Sequence, residues 1–266
     1  MSFFYTDYTH VNINNDNTLI IIDWDDTIFA STNIVNVQSL NMLNNQNNKA
    51  DNKTISHLFE ELIMKLINLG KVVIVTSSRH DWVLLSAEQY FSTTVVNILK
   101  NIDIYYVEEF LDKHNIYNIG YEDKKSKVIE IVIKNFIDNK ATWNPFKNIL
   151  DNSIKRKDDI NIISLGDGFQ ESNAYFYITQ NSTLNERHNI IYKHIEYKKK
   201  PTLMELIKEY KLILKVILMI INKTYSSYYS LYFDTYDTCF IYEKKNAYKY
   251  GNGQIMHKFS ISDQNF

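Results

Sequence analysis

The chain has 266 residues, and its 29 basic and 31 acidic side chains leave a formal net charge of −2. A hydrophobic fraction of 45% can supply a folded core, which excludes wholesale disorder. The balanced charge lacks the basic surplus of a dedicated nucleic-acid surface. A single cysteine excludes an internal disulfide and a multi-cysteine zinc site, so we expect a protein of the reducing cytoplasm.

The apolar segments do not predict export or membrane insertion. Residues 1–10 have no basic n-region and no sustained apolar stretch, so we expect no secretory signal. The densest apolar run, residues 212–221, is about half of a membrane span and contains Lys215. We expect a buried helix there and no membrane association.

Short apolar runs and helical patterns alternate along the chain. Runs rich in β-branched residues predict buried strands at residues 18–22, 72–75, 102–106, 161–165 and 190–195. Helical periodicity predicts helices at residues 55–69, 81–91, 125–136 and 201–221, the last opened by Pro201. This alternation predicts an α/β fold with a parallel sheet and right-handed crossovers.

Some stretches fall outside that alternation. Residues 30–53 are polar and rich in Asn, and residues 138–159 carry the basic cluster Lys155, Arg156 and Lys157, so we expect loops or small insertions there. The segment 223–266 is rich in tyrosine and has no helical period. We therefore divide the chain into a main domain at 1–222, with a small insertion or flap at 30–54, and a C-terminal extension at 223–266 of unassigned structure.

The most informative segment is residues 19–27, LIIIDWDDT, an apolar strand that ends in three carboxylates. Two carboxylates about 4 Å apart repel by roughly 4 kcal/mol at an effective dielectric of about 20, and a divalent cation removes that repulsion. Because side chains alternate along a strand, Asp23 and Asp25 should share one side while Trp24 points to the other. We expect Asp26 to point elsewhere.

Two other predicted strands also end in polar residues. Residues 71–77 read KVVIVTS and end in the hydroxyls of Thr76 and Ser77, while residues 161–168 read NIISLGDG and deliver Asp167 between two glycines. Ligands bind at the carboxyl ends of parallel strands. The flanking glycines indicate that the backbone passes close to a ligand or takes a positive φ.

The segment DWDDT after four apolar residues resembles motif I of the haloacid dehalogenase superfamily, and the two other strand ends resemble its motifs II and IV, in the same order. The resemblance implies a Rossmann-like, three-layer α/β/α fold with a mostly parallel five-stranded sheet of order 5-4-1-2-3. The strand with Asp23 then lies between those that carry Thr76 and Asp167. The segments 28–54 and 107–123 are too short for a large cap, so we expect a small cap or none.

The same resemblance implies a Mg²⁺-dependent phosphomonoester hydrolase that acts through an aspartyl-phosphate intermediate. It makes Asp23 the nucleophile and Asp25 the general acid and base. Mg²⁺ would be held by Asp23, Asp167 and the backbone carbonyl of Asp25. Thr76, together with Ser77 and Gly168, would bind the phosphoryl group.

Motif III of the family is a lysine at a helix start that neutralises the nucleophile and the phosphoryl group. Lys124, Lys125 and Lys127 compete for this position, and Lys125 fits best because apolar residues follow it at three, four and seven positions. The family often has a second acid after motif IV. Here that position is Glu171, which either reaches the metal through water or lies in the first turn of a helix.

The substrate would be a phosphorylated small molecule or the phosphorylated end of a macromolecule, and neither its identity nor the oligomeric state follows from the sequence. An alternative from another class is a catalytically degenerate relative that serves as a binding or scaffold protein. Such a protein would bind phosphate or a protein partner, for instance through the tyrosine-rich extension.

Overall fold

The computed structural model describes residues 17–34, 46–142, 159–181, 188–234, 237–245 and 254–261. It is an α/β structure with a mostly parallel sheet. The strands are β1 (Thr18–Ile22), β2 (Lys71–Thr76), β3 (Asp103–Tyr106), β4 (Asp159–Gly166), β5 (Asn189–Glu196), β6 (Ser227–Phe233), β7 (Cys239–Lys245) and β8 (Gln254–Ile261). The helices are α1 (Gln46–Ile67), α2 (Trp82–Tyr90), α3 (Thr93–Leu99), α4 (Val107–Lys113), α5 (Tyr121–Thr142), α6 (Phe169–Asn181) and α7 (Leu203–Ile221).

The sheet differs from the predicted five-stranded sheet in its strand count and in its full order. The described residues form one eight-stranded sheet of order β3-β2-β1-β4-β5-β6-β7-β8. The five predicted strands are all present and adjoin one another as β3-β2-β1-β4-β5, while the C-terminal extension adds β6 in parallel and then β7 and β8 in antiparallel orientation. The sequence analysis assigns no strands to the extension; in β6, serines interrupt the apolar run, although aromatic residues favour strands.

The central strand β1 is buried on both sides. Ile20 and Ile22 lie in one hydrophobic cluster, which includes residues of α1 and α7. Leu19 and Ile21 lie in a second cluster, which includes residues of α5 and α6. Because side chains alternate across a strand, the two clusters occupy opposite faces of the sheet, and helices cover both.

The register of the central strands brings three chain segments to one edge of the sheet. Ile22, the last residue of β1, pairs with Ile74 of β2 and with Leu165 of β4. The next backbone N–H, that of Asp23, donates to the carbonyl of Leu165 at 2.9 Å. The residues that follow β1, β2 and β4 therefore meet at the same carboxyl-terminal edge.

Several predicted boundaries change. α1 begins within the expected insertion, at Gln46, and α5 continues to Thr142. α7 begins at Leu203 rather than at Pro201, because Thr202 caps the helix and forms a reciprocal capping box with Glu205. Residues 35–45 and 143–158 of the expected insertions, which include the Lys155–Arg156–Lys157 cluster, lie outside the described residues.

The apolar helix has the buried surroundings that the sequence predicts. Cys239 is a free, buried residue of β7. Most of the apolar run at 212–221 is buried within α7. In the part of the chain that the structure describes, no helix combines the length and hydropathy needed to cross a membrane.

Candidate active site

An open cavity of about 380 Å³ lies where β1, β2 and β4 end. It is lined by the site residues predicted from the sequence, namely Asp23, Asp25, Thr76, Ser77, Lys125, Asp167 and Gly168. The remaining lining residues are Asp26, Ser78, Tyr121, Phe169, Gln170 and Glu171. Residues that are far apart in the sequence are thus brought together by the parallel arrangement of the central strands.

Asp23 occupies the buried end of the cavity and is only 6% exposed. Its Oδ1 accepts the backbone N–H of Trp24 at 2.8 Å and lies 2.5 Å from Nζ of Lys125. Its Oδ2 has a longer contact, 3.5 Å from the hydroxyl of Thr27. The two carboxylate oxygens are therefore in different environments, and Oδ1 is the more strongly held.

The three competing lysines have different partners. Lys125, in the first turns of α5, is 5% exposed and pairs with both Asp23 and Glu171. Lys124 instead pairs with Glu108 at 2.7 Å, and Lys127 pairs with Glu130 at 2.8 Å. Of these three, Lys125 is the lysine whose ammonium contacts the predicted nucleophile.

Glu171 lies in the first turn of α6, and its carboxylate is 2% exposed. Oε1 pairs with Lys125, while Oε2 accepts no hydrogen bond from another described residue. The sequence offered no signal for the pair with Lys125, because it forms between two helices and depends on how they pack. Ligation of a metal through water remains a prediction for Glu171.

Glu171 also explains the two glycines that flank Asp167. A Cβ atom at Gly166 would lie 2.6 Å from Cγ of Glu171, and one at Gly168 would lie 2.5 Å from its Oε2. Neither glycine has a φ in the left-handed region. Of the two alternatives, the positive φ is excluded, and the group that approaches both glycines closely is the Glu171 side chain.

Asp25 is held by three side-chain donors. Its Oδ1 accepts the indole N–H of Trp82 at 2.9 Å, and its Oδ2 accepts the hydroxyls of Ser78 and, at 3.4 Å, of Thr76. The hydroxyl of Thr76 in turn accepts the backbone N–H of Ser78 at 3.1 Å. The sequence predicted Thr76 at this place, but the roles of Ser78 and Trp82 in positioning Asp25 were missed.

Trp24 and Asp26, the neighbours of these acids, have other partners. Trp24 is fully buried in the first hydrophobic cluster, and its indole N–H donates to the hydroxyl of Ser86 at 3.0 Å. Asp26 has a left-handed φ of 55°, which Asp tolerates, and its carboxylate accepts the hydroxyl of Thr32 at 2.6 Å. Asp26 thus stabilises the loop that follows β1.

The acids of the cavity influence one another strongly. Burial raises the pKa of Asp23 well above its usual value, and the charges of Glu171 and Asp167 add to this, while Lys125 opposes it. Burial, followed by the charge of Glu171, raises the pKa of Asp167 to about 6. Burial disfavours the charged form of Glu171 as well, but the charge and hydrogen bond of Lys125 outweigh it and lower the pKa.

The cavity offers carboxylate oxygens as ligands for Mg²⁺. Asp23 and Asp167 are close enough for a direct hydrogen bond between their side chains, and both offer hard oxygen donors at raised pKa. Among the described residues, no group of three or more His, Cys, Asp or Glu side chains forms a metal cage. Mg²⁺ is usually held by one or two carboxylates, with water and substrate phosphate completing its shell, so the Asp23–Asp167 pair fits this ion.

Comparisons of the chain with family models, with curated proteins and with solved structures found no match. The function is therefore inferred from the cavity and from the motifs that line it.

Proposed function

We propose that the protein is a Mg²⁺-dependent phosphomonoester hydrolase of the haloacid dehalogenase type, which acts through an aspartyl-phosphate intermediate. The observation that carries the proposal is the buried Lys125–Asp23 ion pair in a cavity that Asp25, Thr76 and Asp167 also line. Asp23 and Asp25 were predicted from one strand end, and Thr76, Asp167 and Lys125 each from a further strand end or helix start. Their meeting in one cavity supports a shared chemical role.

In the first step, Asp23 attacks the phosphorus atom of the ester. Oδ2 is the attacking oxygen, because Oδ1 is engaged by Lys125 and by the backbone N–H of Trp24. An Oδ2–P bond forms and the bond between phosphorus and the ester oxygen breaks. Asp25, entering the step protonated, transfers its proton to the leaving oxygen, which departs as an alcohol.

In the second step, water attacks the phosphorus atom of the aspartyl phosphate. Asp25, now a carboxylate, takes a proton from that water as the O–P bond forms. The Oδ2–P bond breaks, inorganic phosphate leaves, and both aspartates return to their starting states. The contacts of Asp25 with Trp82 and Ser78 hold its carboxylate in one orientation for both transfers.

Other residues of the cavity position the phosphoryl group and offset its charge. Lys125 places one positive charge beside Asp23, where negative charge accumulates during transfer. The hydroxyls of Thr76 and Ser77 and the backbone near Gly168 line the cavity and would donate hydrogen bonds to phosphoryl oxygens. Asp23, Asp167 and the backbone carbonyl of Asp25 would hold Mg²⁺, which when bound neutralises phosphoryl oxygens.

Turnover of 4-nitrophenyl phosphate with and without Mg²⁺ tests the proposal. The parent protein should release phosphate only with the metal, and Asp23→Asn should reduce this to background. Asp103→Asn is the matched control, because Asp103 opens β3 at the opposite edge of the sheet and pairs with Lys71 on the surface. Phosphate binding without any turnover by the parent would instead favour the binding or scaffold alternative.

A further inference from the structure

Two exposed aromatic rings stand at the mouth of the cavity. Tyr121 is 71% exposed and Phe169 is 43% exposed, and both line the same cavity as Asp23. Neither residue belongs to, or packs against, the two hydrophobic clusters of the described residues. Core packing therefore does not account for these rings.

The two rings lie at the starts of the helices that carry Lys125 and Glu171. Tyr121 opens α5 one turn before Lys125, and Phe169 opens α6 in the turn that contains Glu171. Gln170 joins the two helix starts, since its side-chain amide donates to the backbone carbonyl of Tyr121 at 3.0 Å. The rings thus lie on the solvent side of a cavity whose buried end is Asp23.

We propose that the cavity takes phosphate monoesters whose leaving group carries a planar aromatic ring, and that this ring packs against Tyr121 and Phe169. The inference rests on the proposed function: with the phosphoryl group at the buried Asp23, the leaving group extends towards the opening. Aromatic side chains stack well on nucleobases and on phenyl rings. Nucleoside monophosphates and aryl phosphates are the two sources of such a ring.

Two matched pairs of substrates separate ring recognition from phosphate recognition. Adenosine 5′-monophosphate is compared with ribose 5-phosphate, and phosphotyrosine with phosphoserine. The ratio of kcat/KM within each pair is measured for the parent, for Tyr121→Ala, for Phe169→Ala and for the double variant. The intrinsic chemical reactivity of each ester does not depend on the variant. A change in the kcat/KM ratio between variants therefore reports contact with the ring.

We expect the parent to prefer the ring-bearing ester in at least one pair, and the ratio to fall about tenfold or more in the double variant. Hydrolysis of the ringless ester should change little. Tyr121→Phe and Phe169→Trp keep a ring and should retain the preference. Tyr117→Ala is the control, because Tyr117 is 61% exposed, precedes α5 and does not line the cavity.

The pair that shows the effect identifies the source of the ring. This inference would be overturned if the parent showed no preference for the ring-bearing ester in either pair, or if the preference survived in the double variant. Neither result would contradict the proposed phosphatase function. Failure of the parent to hydrolyse any of the four esters and 4-nitrophenyl phosphate with Mg²⁺ would overturn both this inference and the proposed function.

Discussion

Nζ of Lys125 lies 2.5 Å from Oδ1 of Asp23, in a buried ion pair that joins the start of α5 to the end of β1. Lys125 also pairs with Glu171 of α6, so one ammonium serves two buried carboxylates. Burial alone would lower the pKa of Lys125, but Asp23 and Glu171 together raise it above its usual value. Its charge is therefore a fixed part of the site.

Replacing Lys125 by Ala should impair both activity and stability. Loss of a positioned charge beside the transferring phosphoryl group is expected to lower kcat by about 10²–10³. Removal of one partner from a buried ion pair typically costs about 3–5 kcal/mol in the free energy of unfolding. Phosphatase kinetics and urea denaturation measure the two effects.

Lys127→Ala is the matched control for that experiment, because Lys127 lies on the same helix and pairs with Glu130 outside the cavity. It should leave kcat within about a factor of two and stability within about 0.5 kcal/mol. A larger loss of turnover in Lys127→Ala than in Lys125→Ala would transfer the neutralising role to Lys127.

The packing of Glu171 against Gly166 predicts a non-additive pair of substitutions. Gly166→Ala should destabilise the protein by about 1–3 kcal/mol, because its Cβ would lie 2.6 Å from Cγ of Glu171. In a Glu171→Ala background the contacts with Cγ and Cδ disappear and only a Cβ contact of 3.3 Å remains, so the added cost of Gly166→Ala should become smaller. A double-mutant cycle by urea denaturation measures this coupling, and equal costs of Gly166→Ala in both backgrounds would show that Glu171 is not the obstacle.

Much of the site could be predicted because it lies at strand ends. The β-branched runs mark the central strands, and the side chains change from apolar to polar where those strands end, at Asp23, Thr76 and Asp167. The rule that carboxyl ends of parallel strands share one edge then brings these residues together. Lys125 was favoured over its neighbours because the apolar residues after it follow the helical period.

Sequence reasoning missed the contacts between elements whose relative position depends on packing. Trp82 reaches Asp25 from α2, and Glu171 reaches Lys125 from α6. No local pattern relates such residues. β6 was missed for another reason: it follows α7 and adds to β5 in parallel, but its tyrosines and serines give no continuous apolar run.

Trp82→Phe tests whether the indole donor positions Asp25. Phenylalanine keeps an aromatic ring against Phe29, whose ring centroid lies 6.1 Å from that of Trp82, but it removes the 2.9 Å hydrogen bond to Asp25. A hydrogen bond contributes a net of about 0.5–1.5 kcal/mol, so kcat should fall by up to about tenfold while KM changes little.

The control is Tyr90→Phe, which removes a hydroxyl from the same helix at a residue that also packs on Phe29 and does not line the cavity. Its kcat should match that of the parent. An unchanged kcat in Trp82→Phe would show that Ser78 and Thr76 suffice to orient Asp25.

Lys193 provides a pH-dependent contribution to stability that is separate from the proposed site. It is fully buried, and its ammonium donates to the side-chain carbonyl of Asn161 and, at 2.9 Å, to the backbone carbonyl of Ile221. Burial lowers its pKa from 10.5 to about 7, and the charge of Asp159 only partly opposes this. Between these two values the unfolded chain binds a proton that the folded chain lacks.

The free energy of unfolding of the parent should therefore rise with pH between about 7 and 10.5, and Lys193 should contribute up to about 1.4 kcal/mol per pH unit to this rise. The free energy of unfolding should fall again as the pH decreases towards 7. Lys193→Met should remove this slope in urea denaturation between pH 7 and about 10. Lys215→Met, at an exposed position of α7, should keep it. Equal slopes in the parent and Lys193→Met would show that Lys193 keeps its proton on folding.

The covalent intermediate can be trapped directly. The protein is mixed with 4-nitrophenyl phosphate and Mg²⁺, quenched during turnover, and treated with borohydride, which reduces an aspartyl phosphate to homoserine. Peptide mass spectrometry then locates the reduced residue. We predict homoserine at position 23 in the parent, and none in protein incubated without the ester. Steady turnover with no reduced residue, or reduction at Asp25 or Asp167 in place of Asp23, would contradict it.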